Sequence, residues 1–519
     1  MTKLKSLLSL MQSMTKAEKK QFSMTISEEG DSSADYLLVY KILEQKKEST
    51  SAEIRQAFLL KKPKGSFDIA VNYLYDKLLD ILLSLRKNKD SYFDLFQNIL
   101  KAKMLFERSL FMESLELLKD VIEKAKRYEN YYALLLASRL ELNYLLHLNY
   151  LNTSEQDLYH KQYAIGDLLN LLRKINVQSS LYELLKHRLI YKGNIRSSKQ
   201  KQEMNDLVVS ELSIVASSND SNFEITKMHQ LFQANYLIGA GDYKAAFQSF
   251  KELTLLFESN DYLWANSPFE YLSTLEGVLE SLRSIGNYEG MEYFISHLKN
   301  LTNYSSLDFR INALCLLFQY ELFPMLDRGN FDGCNELIEK YKESLYDKFS
   351  WLSPIRQTEL CLYTALVHFG NHQYKQAKKF INTITFNRNL GNLPLSRTIQ
   401  LVKLMIYYEE GSFDIIRYET RSIKRKIALN NEKGFKIEQR MFWLLNKNPL
   451  PILQRTRDEL WEKIRPNIEV LHSDKYESQI LRLFDFTAWI QATILRKKLS
   501  EVLNEKFNAF STNHSEEQK

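Results

Sequence analysis

The chain has 519 residues, 45% of them apolar and 26% charged, with a formal net charge of +6. That length exceeds what one compact core usually holds, and the apolar share excludes a disordered chain. A charge this small over so many residues does not by itself imply a polyanionic partner, and only 15 glycines and 8 prolines exclude a sheet protein built on many tight turns.

The opening MTKLKSLLSLMQSM is basic at its start, but its apolar run LLSLM is too short for a signal-peptide core. Thr15 and Glu18 form a capping-box pattern that predicts a short helix through Phe22, and the serine- and acid-rich stretch 27–35 reads as a loop. Helices are expected at 36–47, 51–60 and 66–88, the last with apolar spacing through Ile69, Tyr73, Leu78, Ile81 and Leu85. Three short helices around Lys61, Lys62 and Lys64 admit a helix-turn-helix reading. Against it, residues 1–90 carry 16 basic and 12 acidic side chains, only +4, and the third helix offers apolar groups rather than donors to bases. The expectation for 1–90 is a helical cap or small helical domain.

From residue 91 helical periodicity is continuous. LFERSLFMESLELLKDVIEKA sets Phe111 three residues before Ser114, and no clear breaker follows through 129–218. Then a short stretch begins to recur. Gly241-Asp242-Tyr243, within LIGAGDYKAAFQSF, returns as Gly286-Asn287-Tyr288, Gly329-Asn330-Phe331 and Gly411-Ser412-Phe413. A looser copy runs from Gly370 to Tyr374. The aromatic positions 243, 288, 331, 374 and 413 are 45, 43, 43 and 39 residues apart, the period of stacked helical hairpins. Glycine tolerates the left-handed conformation that ends one helix, Asp, Asn or Ser suits the cap of the next, and the aromatic can wedge between the two. Three residues on stand the small Ala246, Cys334 and Ala377, with Met291 and Ile416 in the other two units. Ser267-Pro268 and Ser353-Pro354 place a capping serine before a proline at the first helical position, and Pro394 marks a similar start without the serine.

Gly239 and Gly241 could instead begin a phosphate-binding loop. Such a loop needs a third glycine where Lys244 stands, and a preceding strand where HQLFQANYLI has helical character. The stretch reads as a helix turn.

Gly241, Asp242, Tyr243 and Ala246 make this region resemble the tetratricopeptide-repeat superfamily, over about residues 222–429. The resemblance implies a right-handed α-solenoid of stacked antiparallel helical hairpins, covering 91–446, that binds a peptide or protein on its concave face. The period of about 43 departs from that family's 34. In one family branch a Lys–Asn–Lys set grips a C-terminal carboxylate; the matching positions are Leu231, Asn235 and Gly239, and only the asparagine fits, so that grip is not expected. The stretch SMTKAEKKQF also resembles the openings of uncharacterised bacterial repeat proteins, which implies no activity.

Between Ile415 and Arg465 the count is 13 basic and 6 acidic, +7. Arg417, Arg421, Lys424 and Arg425 fall together on a helical wheel beside an apolar stripe of Ile416, Ile423 and Ile427. That face is either simply solvated or a site for an acidic partner such as a nucleic-acid backbone, an acidic peptide or a membrane surface. Within a C-terminal cap at 447–508, Asn-Pro-Leu-Pro bends the chain before helix expected at about 452–508, and 509–519 reads as a disordered tail.

No catalytic signature emerges. His368 and His372 have zinc-pair spacing, but Gly370 lies between them at a helix end and no acidic residue follows His368. His147 and His187 lie in apolar helices and read as packed. Cys315, Cys334 and Cys361 sit in apolar helical patterns and read as buried free thiols in a reducing cytoplasm. The apolar segment INALCLLFQYELFPML is too short to span a bilayer. The sequence therefore points to an all-α, cytoplasmic, non-enzymatic scaffold without cofactor or metal. The alternative is a nucleic-acid-associated regulator whose N-terminal helices contact DNA and whose repeats act as a sensor.

Overall fold

The computed structural model describes residues 3–29, 34–45, 50–86, 90–193, 195, 198–217, 222–264, 268–304, 306–386, 395–429, 435–447 and 449–517. Among them every regular element is a helix, and the chain divides into two units, Met1–Asn170 and Leu171–Lys519. The division falls inside the segment 91–446 expected to form one repeat array. No helix among the described residues is long and apolar enough to cross a membrane.

The first unit holds α1 (Lys3–Ser13), α2 (Lys16–Glu29), α3 (Asp35–Gln45), α4 (Ser51–Lys61), α5 (Phe67–Arg86), α6 (Ser91–Glu107), α7 (Phe111–Arg127), α8 (Tyr131–His147) and the start of α9 (Glu155–Lys192). The Thr15–Glu18 box forms, with the Thr15 amide donating to Glu18 Oε2 at 2.7 Å. The helix it opens runs to Glu29 rather than Phe22, so 27–29 are helical and not loop. Serine weakens a helix only modestly and glutamate is a good helix former, so this stretch extends the helix instead of breaking it. A second capping box, Thr50 with Glu53, starts α4. Helices α1–α5 close a core of their own around Leu7, Phe22, Ile54, Phe58 and Leu74. There α5 buries Phe67, Val71, Leu74, Leu78 and Ile81, while Ile69 and Tyr73 are 70% and 52% exposed. The expected stripe is thus rolled: α5 is apolar on more than one side, and packing against α1 and α3 selects the side. His147 likewise is exposed rather than packed.

The second unit continues α9 and adds α10 (Ser198–Glu203), α11 (Asn205–Ser217), α12 (Phe223–Gly239), α13 (Tyr243–Ser259), α14 (Asp261–Trp264), α15 (Pro268–Ser284), α16 (Met291–Leu301), α17 (Leu307–Asp327) and α18 (Phe331–Lys340). After a 3₁₀ turn at Tyr346–Trp351 come α19 (Pro354–Gly370), α20 (Tyr374–Phe386), α21 (Ser396–Glu409), α22 (Phe413–Leu429), α23 (Lys436–Asn446), α24 (Gln454–Ser473), α25 (Ser478–Leu481), α26 (Phe486–Leu495) and α27 (Leu499–Glu517). Backbone helix thus extends past residue 508, where the tail was expected to begin. His187, on α9, is exposed.

The expected hairpins form as neighbouring pairs: α12 with α13, α15 with α16, α17 with α18, α19 with α20 and α21 with α22. Gly241, Gly286, Gly329 and Gly411 all take positive φ, between 73° and 75°. The looser copy differs. Gly370 is the last residue of α19, and His372 carries the positive φ of 58°. Gly370 serves packing instead: a Cβ there would lie 2.2 Å from the Phe331 ring. Asp242 and Asn330 cap α13 and α18, each accepting from the amide three residues on; Asn287 accepts from the Gly290 amide in the same way, but α16 starts only at Met291, so there it holds the turn and caps no helix. Ser353 caps α19; Ser267 and Pro394 lie outside the described residues.

One feature of this unit has no sequence signal. Residues 475–507 run along the row of hairpin turns. Lys475 O and Gln479 crowd Gly241, and Ser500 backbone atoms stand 2.8 Å from where a Gly329 Cβ would be. The Phe507 ring lies 5.1 Å from Tyr288 and under the Arg328 guanidinium. Trp489, 2% exposed, packs edge-on against Tyr408 and donates its indole N–H to Glu409 at 3.1 Å. Gly329 therefore meets two demands, a left-handed backbone and a close helix crossing.

Residues 475–507 form a clasp over these turns, and it holds a partly buried ion pair of its own. Asp485 caps α26, accepting from the Thr487 and Ala488 amides at 2.9 and 3.1 Å, and pairs with Lys506 of α27 at 3.0 Å. Burial raises its pKa, but Lys506, His472 and Thr487 outweigh that and hold the carboxyl at about 2. The folded carboxyl thus titrates below the unfolded one, so its contribution is whole above about pH 4 and fades as pH falls toward 2. Replacing Asp485 with asparagine should cost about 2 kcal/mol at neutral pH, with the gap from wild type closing between pH 4 and pH 2 in urea unfolding. A gap independent of pH would show that the charge contributes nothing.

Candidate functional site in the second unit

Polar side chains of the first helices in successive hairpins meet inside the second unit. Arg356, near the start of α19, places its guanidinium between Glu276 of α15 and Glu359 one turn on. Its Nη1 reaches Glu276 Oε1 at 2.7 Å and Glu359 Oε2 at 2.8 Å, and its Nη2 takes the second Glu276 oxygen. Gln319 of α17 donates to Glu359 at 3.2 Å. Burial pushes the Glu359 carboxyl up. In Glu276 burial acts the same way, but the Arg356 charge outweighs it and the carboxyl is lowered. Glu276, held by both guanidinium nitrogens, is the firmer anion of the two.

A parallel pair lies further along: Arg283 of α15 grips Asp327 of α17 through two bonds of 2.8 and 2.9 Å, with Tyr288 donating to the same carboxylate. The clasp joins this network where Arg482 pairs with Glu280 and Gln479 donates to the Ile195 carbonyl at 2.9 Å.

Glu359, Gln479 and Arg482 also line a cavity of about 270 Å³. Its polar lining is Lys186 of α9, Asn235 of α12, Glu359, Arg397 and Thr398 of α21, and Gln479 and Arg482 from the clasp. Lys186 Nζ donates to Asn235 Oδ1 at 3.1 Å, and Asn235 donates onward to the Leu231 carbonyl. Burial pulls the Lys186 ammonium down from the usual lysine range, against the attraction of Glu276. Arg397 faces Glu438 at 3.4 Å. Two buried polar atoms have no partner here: Gln479 Oε1 and Arg482 Nε.

The residues singled out in the sequence lie elsewhere. Arg417, Arg421, Lys424 and Arg425 are exposed on α22. Arg417 lies 3.9 Å from Asp414 and Lys424 stands over the Phe442 ring, while Arg421 and Arg425 make no ion pair among the described residues. Sequence reasoning missed Lys375, Lys378 and Lys379 of α20, which line an open cleft of about 580 Å³. Their spacing on one amphipathic helix was the available signal. The repeat positions Gly241, Tyr243, Gly286, Tyr288, Gly329, Phe331, Gly370, Tyr374, Gly411 and Phe413 form the turns and wedges described above. His368 and His372 turn to different partners, Gln373 and Tyr374. Cys315, Cys334 and Cys361 are buried and unbridged, each thiol pushed up to about 12 by burial. Among the described residues no group of three or more His, Cys, Asp or Glu side chains is placed to hold a metal ion.

Comparison with known proteins finds no matching family model, curated protein or solved structure.

Proposed function

We propose that this chain is a non-enzymatic, cytoplasmic scaffold of tetratricopeptide-like hairpins, a right-handed solenoid of period about 43 residues, that engages a protein or peptide partner. The observation that carries this reading is a contrast between first helices. In the second unit the turn ends of the first helices are covered by the chain's own residues 475–507. In the first unit α6 and α8 leave Leu100, Met104, Tyr132, Leu136 and Leu146 exposed, whereas α7 exposes only Met112 among its large apolar side chains. Apolar side chains gathered on alternate helices form a surface suited to an apolar helix or strand of a partner.

The test compares wild type with a Leu100→Glu, Leu136→Glu variant in quantitative cross-linking pull-downs from native extract. Proteins recovered with wild type should be depleted at least about tenfold with the variant, since buried charge at an interface costs more than 1.4 kcal/mol. Recovery of the same proteins in the same amounts would remove α6 and α8 from the account.

A second reading, a nucleic-acid-associated regulator, is favoured by the exposed cations of α20 and α22, second helices of consecutive hairpins. Under it, affinity for random duplex falls steeply with salt, and replacing Arg417, Arg421 and Arg425 by glutamine flattens the slope by about two to three. No binding at low salt ends that reading.

A further inference from the structure

The cavity inside the second unit is not explained by partner docking on the first. Three cations and one carboxylate line it: Lys186, Arg397 and Arg482 against Glu359. Glu359 is already held by Arg356 and Gln319. Lys186 makes a single hydrogen bond, to an uncharged amide, although an ammonium has three donors. Arg482 is ion-paired through one nitrogen, but its Nε–H has no acceptor. Gln479, 5% exposed, has its amide nitrogen committed to Ile195 and its Oε1 unmatched. Buried polar groups without partners are costly, and two of them, the Arg482 Nε–H donor and the Gln479 Oε1 acceptor, lie on this one cavity.

Much of the remaining lining is apolar. Ile190, Ile238, Ile355, Leu395 and Leu483 face the same space. The lining combines donors and positive charge with hydrocarbon, around a volume just below the usual range of small-ligand pockets.

We propose that this cavity is a binding site for a small organic anion, a carboxylate head on a short apolar body. The head accepts from Lys186 Nζ and Arg482 Nε, and the body lies between Ile238 and Leu395. Because α25 and the residue that follows it supply Gln479 and Arg482, ligand and clasp are coupled: the site is complete only while residues 475–483 are seated.

Hexanoate and hexanol serve as matched probes on the full chain. Isothermal titration should show saturable hexanoate binding, with hexanol at least about tenfold weaker, because it lacks the charge that its donors would meet. Lys186→Met should weaken hexanoate by about tenfold or more. Should that variant misfold by circular dichroism, Ile190→Trp, which fills the apolar side and leaves every charge in place, should abolish binding. The proposal is overturned if hexanoate does not bind, if hexanol binds equally well, or if a folded Ile190→Trp variant binds hexanoate as wild type does.

Discussion

Arg356→Met is expected to destabilise the second unit by about 3–5 kcal/mol, the range for removing one partner from a buried ion pair. One guanidinium serves two carboxylates, Glu276 and Glu359. Without it the nearest cation is Lys186, itself drawn below its usual range by burial. Methionine keeps most of the volume, so the loss is electrostatic. The deficit should narrow as pH falls through the carboxylate range, because a protonated carboxyl no longer needs a cation. Urea unfolding followed by circular dichroism from pH 7 to pH 4 reads both effects. A loss under about 1 kcal/mol, or one indifferent to pH, would mean that the network is solvated.

Trp489→Ala should cost about 3–5 kcal/mol, as large-to-small changes at buried aromatic sites do. The indole fills the space between α26 and the end of α21, edge-on to Tyr408. Glu409, which accepts its N–H, is exposed, so losing that bond costs little. Trp489→Phe should therefore retain more than half of the stability lost in the alanine variant. If alanine and phenylalanine cost the same, the hydrogen bond and not the packing holds the clasp.

The hairpins of the second unit were legible because glycine carries their turns. Gly241, Gly286, Gly329 and Gly411 announce a left-handed residue followed by a cap and an aromatic. The same construction flanks α7 without glycine. Ser109 and Glu129 hold φ of 64° and 48°, and each is followed by one residue and then an aromatic, Phe111 or Tyr131. A search for glycine cannot find those turns, so the pattern looked faded where it was only spelled differently. The roll of α5 was illegible for another reason: a helix apolar on several sides does not say which side its neighbours take.

The charged cavity was illegible in a stronger sense. Lys186, Glu276, Arg356 and Gln479 are far apart in the chain, and each alone looks like a polar residue on a wetted helix face. Only the tertiary path of the clasp turns them into one site. Asn235 is instructive. It was singled out as the one match to a carboxylate-gripping set, yet the lysine beside it comes from α9, outside the repeat comparison.

Amide hydrogen exchange of the full chain, resolved by peptide, tests the central arrangement most directly. The account predicts that α26 and the first half of α27 exchange as slowly as α15, α17 and α19, and that Trp489→Ala speeds exchange in all of them together. Rapid exchange of residues 478–507 in wild type, with the first helices still protected, would show that the turn row stands open and that the clasp does not close it.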